Sequence, residues 1–297
     1  MKIVYTSCPA CSSATITQVL SAIDHTVSGK EFEIYECTTC SLRFTQGVPS
    51  IDEISSYYQS DSYISHSDTK EGLISSLYHR IRIMTLRSKR GLIEKKTGVR
   101  RGRLLDIGSG TGAFLHTMHI AQWEVNGLEP DSNAREKGKE LYDLDMESSE
   151  ELFKLEPSSY DAITMWHVLE HVHQLHDYLD QLKKLLKPNG RIFIAVPNYT
   201  SYDAKIYGSH WAAYDVPRHL YHFSPGAMTG LLTRHGLNLK SVQPMWFDSF
   251  YVSMLSEKYK TGKNNILRAI WNGNLSNWKA IWNRKRCSSL IYIIAKD

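Results

Sequence analysis

The segment Leu104-Leu105-Asp106-Ile107-Gly108-Ser109-Gly110-Thr111-Gly112-Ala113-Phe114-Leu115 constrains the fold more than any other stretch of the 297 residues. A short apolar run ends in three glycines at alternate positions, and helical spacing begins at Ala113. Glycines there let the backbone turn tightly and let a ligand approach main-chain N–H groups without obstruction by a Cβ. The alternation of strand, turn and helix then repeats. Residues 123–128 read as a strand, 132–141 as a helix and 160–166 as an apolar strand. Residues 174–187 read as an amphipathic helix with Leu175, Leu179, Leu182 and Leu186 on one stripe, ended by Pro188-Asn189-Gly190. Strands follow at 191–196, 237–244 and 290–295, with a helix at 224–235. Such a pattern predicts an α/β, doubly wound, mostly parallel sheet.

Glu129 ends the strand after the glycine turn, 21 residues beyond Gly108. An acid there can accept hydrogen bonds from both hydroxyls of a ribose. A dinucleotide also needs its pyrophosphate on a helix N-terminus. Here the third glycine is Gly112, one position too early for that fingerprint, and Asp106 would repel a pyrophosphate while helping to hold an ammonium group. The pattern favours an adenosyl ligand without phosphates, S-adenosylmethionine.

At these residues the chain resembles the class I S-adenosylmethionine-dependent methyltransferases over about residues 100–297. The resemblance rests on LLDIGSGTGAF, VNGLEPD, YDAITMWHVLEHV, LLKPNGRIFIAVPN and PRHLYHFSP. It implies a Rossmann-like seven-stranded sheet with the last strand inserted antiparallel. It also implies that Asp106, Gly108, Ser109 and Gly110 line the methionine part of the cofactor and that Glu129 binds the ribose. Pro130 would then pack near the adenine, Met146 and Glu147 would flank that ring, and Trp166 and His167 would close over the sulfonium. S-adenosylhomocysteine would be the product cofactor.

Cys8-Pro9-Ala10-Cys11 and Cys37-Thr38-Thr39-Cys40 form two CxxC units with 25 residues between them. Four such thiolates suit tetrahedral Zn²⁺ at about 2.3 Å per bond, in a closed structural site with no position left for chemistry. Short strands around Val27-Ser28-Gly29 complete the pattern of a zinc ribbon. Cys287, the fifth cysteine, is expected to be buried.

Two histidine-rich segments are candidates for chemistry. His167-Val168-Leu169-Glu170-His171 fits HxxEH, but it follows a strand directly, so a turn at the cofactor edge explains it better than a peptidase helix. The stretch Tyr214 to Pro225 holds Arg218, His219 and His222 in the loop after the fifth strand, where substrate pockets are built. Methyl transfer needs mainly alignment, and a base when the acceptor is a hydroxyl or a carbon acid. The ribbon-first order is similar to the sugar C-methyltransferases, whose catalytic His matches His219, although Arg218 stands where that family has Glu. The resemblance to ubiquinone-type O-methyltransferases is as good. His219, His222 and Tyr63 are the candidate catalytic groups. Tyr63 and His66 reach the pocket if the Tyr-rich segment folds over it.

The expected organisation is a ribbon over 1–48, a Tyr-rich lid and helical linker over 49–100, and a methyltransferase domain over 101–297 with an insert at about 250–286. In that insert Trp278 and Trp282 share one helical face, which suits packing on the body, a homodimer partner or a lipid surface. Net charge is +4, too mild to call for nucleic acid. The ten Lys or Arg between Arg80 and Arg103 read as a solvated helix face, with RNA binding or RNA methylation as the rival. The N-terminus lacks the apolar stretch of a secretory signal and no run is long enough to span a membrane. A cytoplasmic enzyme with a small-molecule, glycan or lipid-intermediate acceptor is the expectation.

Overall fold

The computed structural model describes residues 2–58, 73–263 and 265–296, with residues 73–80 described by backbone alone. Its first part is antiparallel. β1 (Lys2–Ile3) pairs with β5 (Val48–Pro49). Between them β2 (Ile16–Ile23), β3 (Glu31–Cys37) and β4 (Arg43–Thr45) form a meander. In β3 the side chains alternate, with Phe32 and Ile34 buried and Glu31 and Glu33 exposed, the period of a one-sided sheet. Asp24 builds the bend before β3: its carboxylate accepts the N–H groups of Thr26, Val27 and Ser28 at 3.1, 3.2 and 2.7 Å.

The second part winds α1 (Leu73–Thr97), β6 (Arg103–Ile107), α2 (Ala113–His119), β7 (Glu124–Leu128), α3 (Ser132–Tyr142), β8 (Tyr160–Trp166), α4 (Leu175–Leu185) and β9 (Leu186–Pro197). Then come α5 (Tyr202–Tyr207), β10 (Tyr221–His222), α6 (Pro225–Arg234), β11 (Leu237–Pro244), α7 (Asp248–Thr261), α8 (Ile266–Trp282) and β12 (Ser289–Lys296). Helices start where the sequence supplies caps: Asp131 accepts the Asn133 N–H at 3.0 Å and Ser224 the Ala227 N–H at 3.0 Å, with Pro225 next in line. Each cap is worth about 1 kcal/mol.

The large sheet has the order β11-β12-β9-β8-β6-β7, with β12 antiparallel to both neighbours. The inserted antiparallel strand is therefore present, but the sheet has six strands among the described residues. Where a seventh would lie, one parallel bridge joins Leu128 to Glu147. The Glu147 N–H donates to Gly127 O, and Glu147 O accepts from the Glu129 N–H, each at 2.9 Å. Residues 143–147 (Asp-Leu-Asp-Met-Glu) carry three acids, which disfavour strand and blunt an edge. A second departure is Pro188-Asn189-Gly190. It makes a bulge within β9 rather than a turn, because the register to β8 jumps from Tyr160↔Leu186 to Ala162↔Arg191.

The two parts share one core. β10 pairs with β4, extending the small sheet to β10-β4-β3-β2. Leu42, Phe44 and Val48 are fully buried in one cluster with Tyr221, Phe223 and Met228, each large side chain contributing about 1.5–3 kcal/mol. Ile93 of α1 is fully buried against Leu104 and Trp123, whereas Met84 of the same helix is exposed.

Candidate active site

The glycine turn crosses the carboxyl edge of β6. Gly108 has φ +72°, and a Cβ there would lie 2.4 Å from Val168 Cγ2, so the turn and the segment after β8 can be this close only with glycine. Gly110 has φ +54° with nothing near the place of a Cβ, which leaves its approach open. The N–H groups of Gly108 and Ser109 both donate to Leu128 O, at 2.7 and 3.1 Å, and Ser109 Oγ donates to Asp106 O at 2.8 Å.

Glu129 closes the turn from β7. Its Oε2 accepts the Gly110 N–H at 2.8 Å and its Oε1 the Asp131 N–H at 3.1 Å. Burial raises its carboxyl, against these two hydrogen bonds. Asp106 is buried and accepts from Thr164 Oγ1 at 2.5 Å; burial pushes it up to about 7.

Trp166 ends β8 edge-to-face with Phe114, centroids 5.5 Å apart, and its buried indole N–H meets no acceptor among the described residues. Lys89 of α1 holds its Nζ 4.1 Å above the Trp166 ring and within reach of the charges of Asp106 and Asp248. Burial brings Lys89 down to about 8. One cation of the basic run thus turns inward, against the expectation of a solvated face. Nothing in the local pattern distinguishes Lys89 from Arg87 or Arg90.

His167 has φ +59°. Its Nε2 lies 2.9 Å from Asp248 Oδ2 and its Nδ1 3.4 Å from Glu170 Oε1. Burial works against its charge, but the two carboxylates prevail and raise it to about 10, so the imidazolium persists at neutral pH. Glu170 is fully buried, and neither carboxylate oxygen makes a well-formed hydrogen bond among the described residues. Burial would raise it; His167 and the other imidazoles hold it below the ordinary carboxylate range.

His171 and His219 complete this cluster, rings edge-to-face with centroids 4.5 Å apart. His171 Nδ1 lies 3.0 Å from Arg218 O, and His219 Nδ1 lies 2.9 Å from Ala213 O. A carbonyl only accepts, so the His219 Nδ1 carries the proton of the neutral ring and Nε2 the lone pair; His171 Nδ1 also has Tyr58 Oη at 3.0 Å. Burial and the neighbouring His219 bring His171 down to about 4. One ligating atom each from Glu170, His171 and His219 fall within 4.8 Å of one another, so the trio can hold a proton or a cation. His222 is not part of it. Its Nε2 donates to Thr45 Oγ1 at 3.0 Å, and Thr45 Oγ1 donates to His219 O at 2.8 Å. His222 is buried with its base strength suppressed, and Thr45 links it to the His219 backbone.

Met146 packs beside the glycine turn, in the room left by Gly112, Gly127 and Gly138. Glu147 and Pro130 are exposed at the rim. Tyr63 and His66 lie outside the described residues. Arg218, unassigned by sequence, is a clamp: its guanidinium meets Asp215 at 2.6 and 3.0 Å, Asp24 at 3.1 Å and Tyr57 O at 3.0 Å. The four cysteines also converge. Cys8 and Cys40 sulfurs are 3.5 Å apart, as are Cys11 and Cys37, and all four lie within 4.8 Å. Four soft donors at that spacing fit a tetrahedral ion. Cys287 is fully buried, which pushes its thiol up to about 12.

A sheet with β12 inserted antiparallel, a glycine turn open over Gly110 and an acid closing it from the next strand define a class I S-adenosylmethionine-dependent methyltransferase. Residues 78–242 match the model of the family described as "Methyltransferase domain", and the chain belongs to that family. It is 29% identical over 187 residues to a ubiquinone biosynthesis O-methyltransferase of Aeromonas salmonicida, covering 58% of this chain and 76% of that one. Another protein of that name, from Photobacterium profundum, is 28% identical over 176 residues, covering 54% and 72%. A solved structure of an S-adenosylmethionine-dependent methyltransferase from Archaeoglobus fulgidus superposes with TM-score 0.48 at 21% identity, covering 72% of this chain and 94% of that one.

Proposed function

We propose that this enzyme methylates a small-molecule acceptor, including a glycan or lipid intermediate, and that His219 takes the acceptor's proton. The observation that carries this is the His219 ring itself: Nδ1–H is committed to Ala213 O, which leaves Nε2 as the basic nitrogen, 3.9 Å from Asp215 Oδ2 and in one cluster with Glu170 and His171. When bound, S-adenosylmethionine supplies an electrophilic methyl group. The turn over Gly110 and the acid Glu129 receive its adenosine, while Asp106, Trp166 and His167 form the floor near its methionine end. His219 Nε2 accepts the proton of an acceptor hydroxyl or carbon acid, and Glu170 stabilises the resulting imidazolium at short range.

The small module braces this arrangement, with Zn²⁺ held by Cys8, Cys11, Cys37 and Cys40 as a structural ion. Thr45 supports the His219 and His222 segment, and Arg43 turns inward to Glu36 at 2.7 Å and to Tyr214 Oη at 3.0 Å. An inward Arg43 supports a small acceptor over RNA, since it is not presented to phosphates. The test is methyl-labelled S-adenosylmethionine incubated with the protein and with separated metabolite, glycan, lipid and RNA fractions. Label in one of the first three is expected. Label in RNA alone overturns the acceptor class.

A further inference from the structure

The hairpin of α7 and α8 is built inside out. The residues of α8 that face the body are small or polar: Ala269, Asn272, Gly273, Ser276 and Ala280. On α7 the buried positions include Ser249, Ser253 and Ser256. The helices meet closely, for a Cβ on Gly273 would lie 2.9 Å from the Phe250 ring. The large apolar residues point outward instead. Leu267 is 83% exposed, Trp271 66%, Trp278 60%, Ile281 64% and Trp282 84%. Their spacing of three and four draws them into one stripe, which Trp246, Phe247 and Met254 widen at the α7 side. The stripe expected to pack on the body therefore faces away from it, and among the described residues nothing covers it. An apolar surface of this size marks an interaction site.

The charge around the stripe selects the occupant. From Trp246 to Arg286 there are eight Lys or Arg and two acids. All eight cations are exposed, although Arg268 pairs with Glu257, Lys279 lies over the Tyr202 ring, and Lys260 and Arg286 donate to Ile206 O and Thr200 O; Asp248 is engaged by His167 and Glu257 is buried. A second copy of this chain packed on the same hairpin would set cations against cations, with no outward acid of the hairpin between them. An anionic bilayer is complementary on both counts: it takes the tryptophans at headgroup level and the cations on its phosphates. No helix among the described residues is long and apolar enough to cross a membrane, so the hairpin would lie on the surface.

We propose that the α7–α8 hairpin docks the enzyme on anionic lipid bilayers, with Leu267, Trp271, Trp278, Ile281 and Trp282 entering the interface. Asp248, the first residue of α7, meets His167, so the docking surface starts at the rim of the active site. The proposal stands independently of the acceptor class.

The test is sedimentation of the full chain with sucrose-loaded vesicles of phosphatidylglycerol and phosphatidylcholine, against phosphatidylcholine alone. Binding to the anionic vesicles that falls at least tenfold at high salt is expected. A further tenfold loss is expected in the double variant Trp278→Ser, Trp282→Ser, with S-adenosylhomocysteine affinity kept as the check on folding. In the unmodified protein, brominated phosphatidylglycerol should quench tryptophan fluorescence. Absence of binding and of quenching overturns the proposal. So does a concentration-dependent dimer, seen by ultracentrifugation and dissolved by the double variant, in a protein that ignores vesicles.

Discussion

Glu129 Oε2 accepts the Gly110 N–H at 2.8 Å, so the acid that ends β7 fixes the glycine turn that ends β6. One carboxylate thereby shapes the turn and, in the function proposed above, also receives the adenosine. Replacing it with Ala removes both roles. Glu129→Ala should weaken S-adenosylhomocysteine binding by about 1–3 kcal/mol, the scale for charged hydrogen bonds. Calorimetry showing unchanged affinity would remove Glu129 from the cofactor site.

His219→Ala should lower turnover by about 10²–10⁴-fold, the range for a lost general base, and leave cofactor affinity intact. Once an acceptor is in hand, the pH–rate profile provides the second readout. A variant that keeps both the rate and the acid limb of that profile would show that the proton leaves by another route.

Arg218→Met should destabilise the fold by about 3–5 kcal/mol, since it strands the buried Asp24 beside Asp215. Urea unfolding measures this. Loss below 1 kcal/mol would mean that the two acids relax without the guanidinium. Arg218→Lys should recover little, because a point charge cannot span both carboxylates.

The His167 imidazolium is raised to about 10 by Asp248 and Glu170. A histidine raised above its unfolded value of roughly 6.5 stabilises the native state fully below that value, and the contribution is lost as pH rises through about 10. In Asp248→Asn the His167 titration should move down towards neutrality, followed by NMR of labelled histidine. An unmoved titration would show that Asp248 does not set the charge.

Freshly purified, reduced protein should contain one zinc ion per chain by elemental analysis. Removing the metal, or Cys37→Ser, should unfold residues 1–48 and loosen the β4–β10 pairing. Turnover should then fall more than cofactor affinity, because Gly108, Gly110 and Glu129 belong to the large sheet. Metal-free protein with full turnover would refute the bracing role.

Much of this was legible in order along the chain. Leu104 to Leu115 announces a strand, a turn and a helix because each needs only neighbours: apolar alternation, glycines with positive φ, then helical spacing. The CxxC pairs are legible for the same reason, and the described cysteines meet as their spacing implies. Lys89, Asp248 and Asp24 escaped notice because their partners lie far off in sequence. Asp248 reaches His167, and Asp24 reaches Arg218, only after the sheet has been assembled. The packing of Met146 beside Gly112 and Gly138 was not legible either, because those glycines lie up to 34 residues away in the chain.

The sequence by itself determined the order of strands and helices, the glycine turn with its acid and the four converging thiols, since these are set by local backbone preference and short spacing. Only the tertiary structure decided that the small module shares a core with the large one, that His219 rather than His222 joins Glu170 and His171, and that the tryptophans of α8 face outward. Those outcomes depend on which distant surfaces are pressed together. Hydrophobic burial drives that contact, and its direction is not encoded in any single helix or strand.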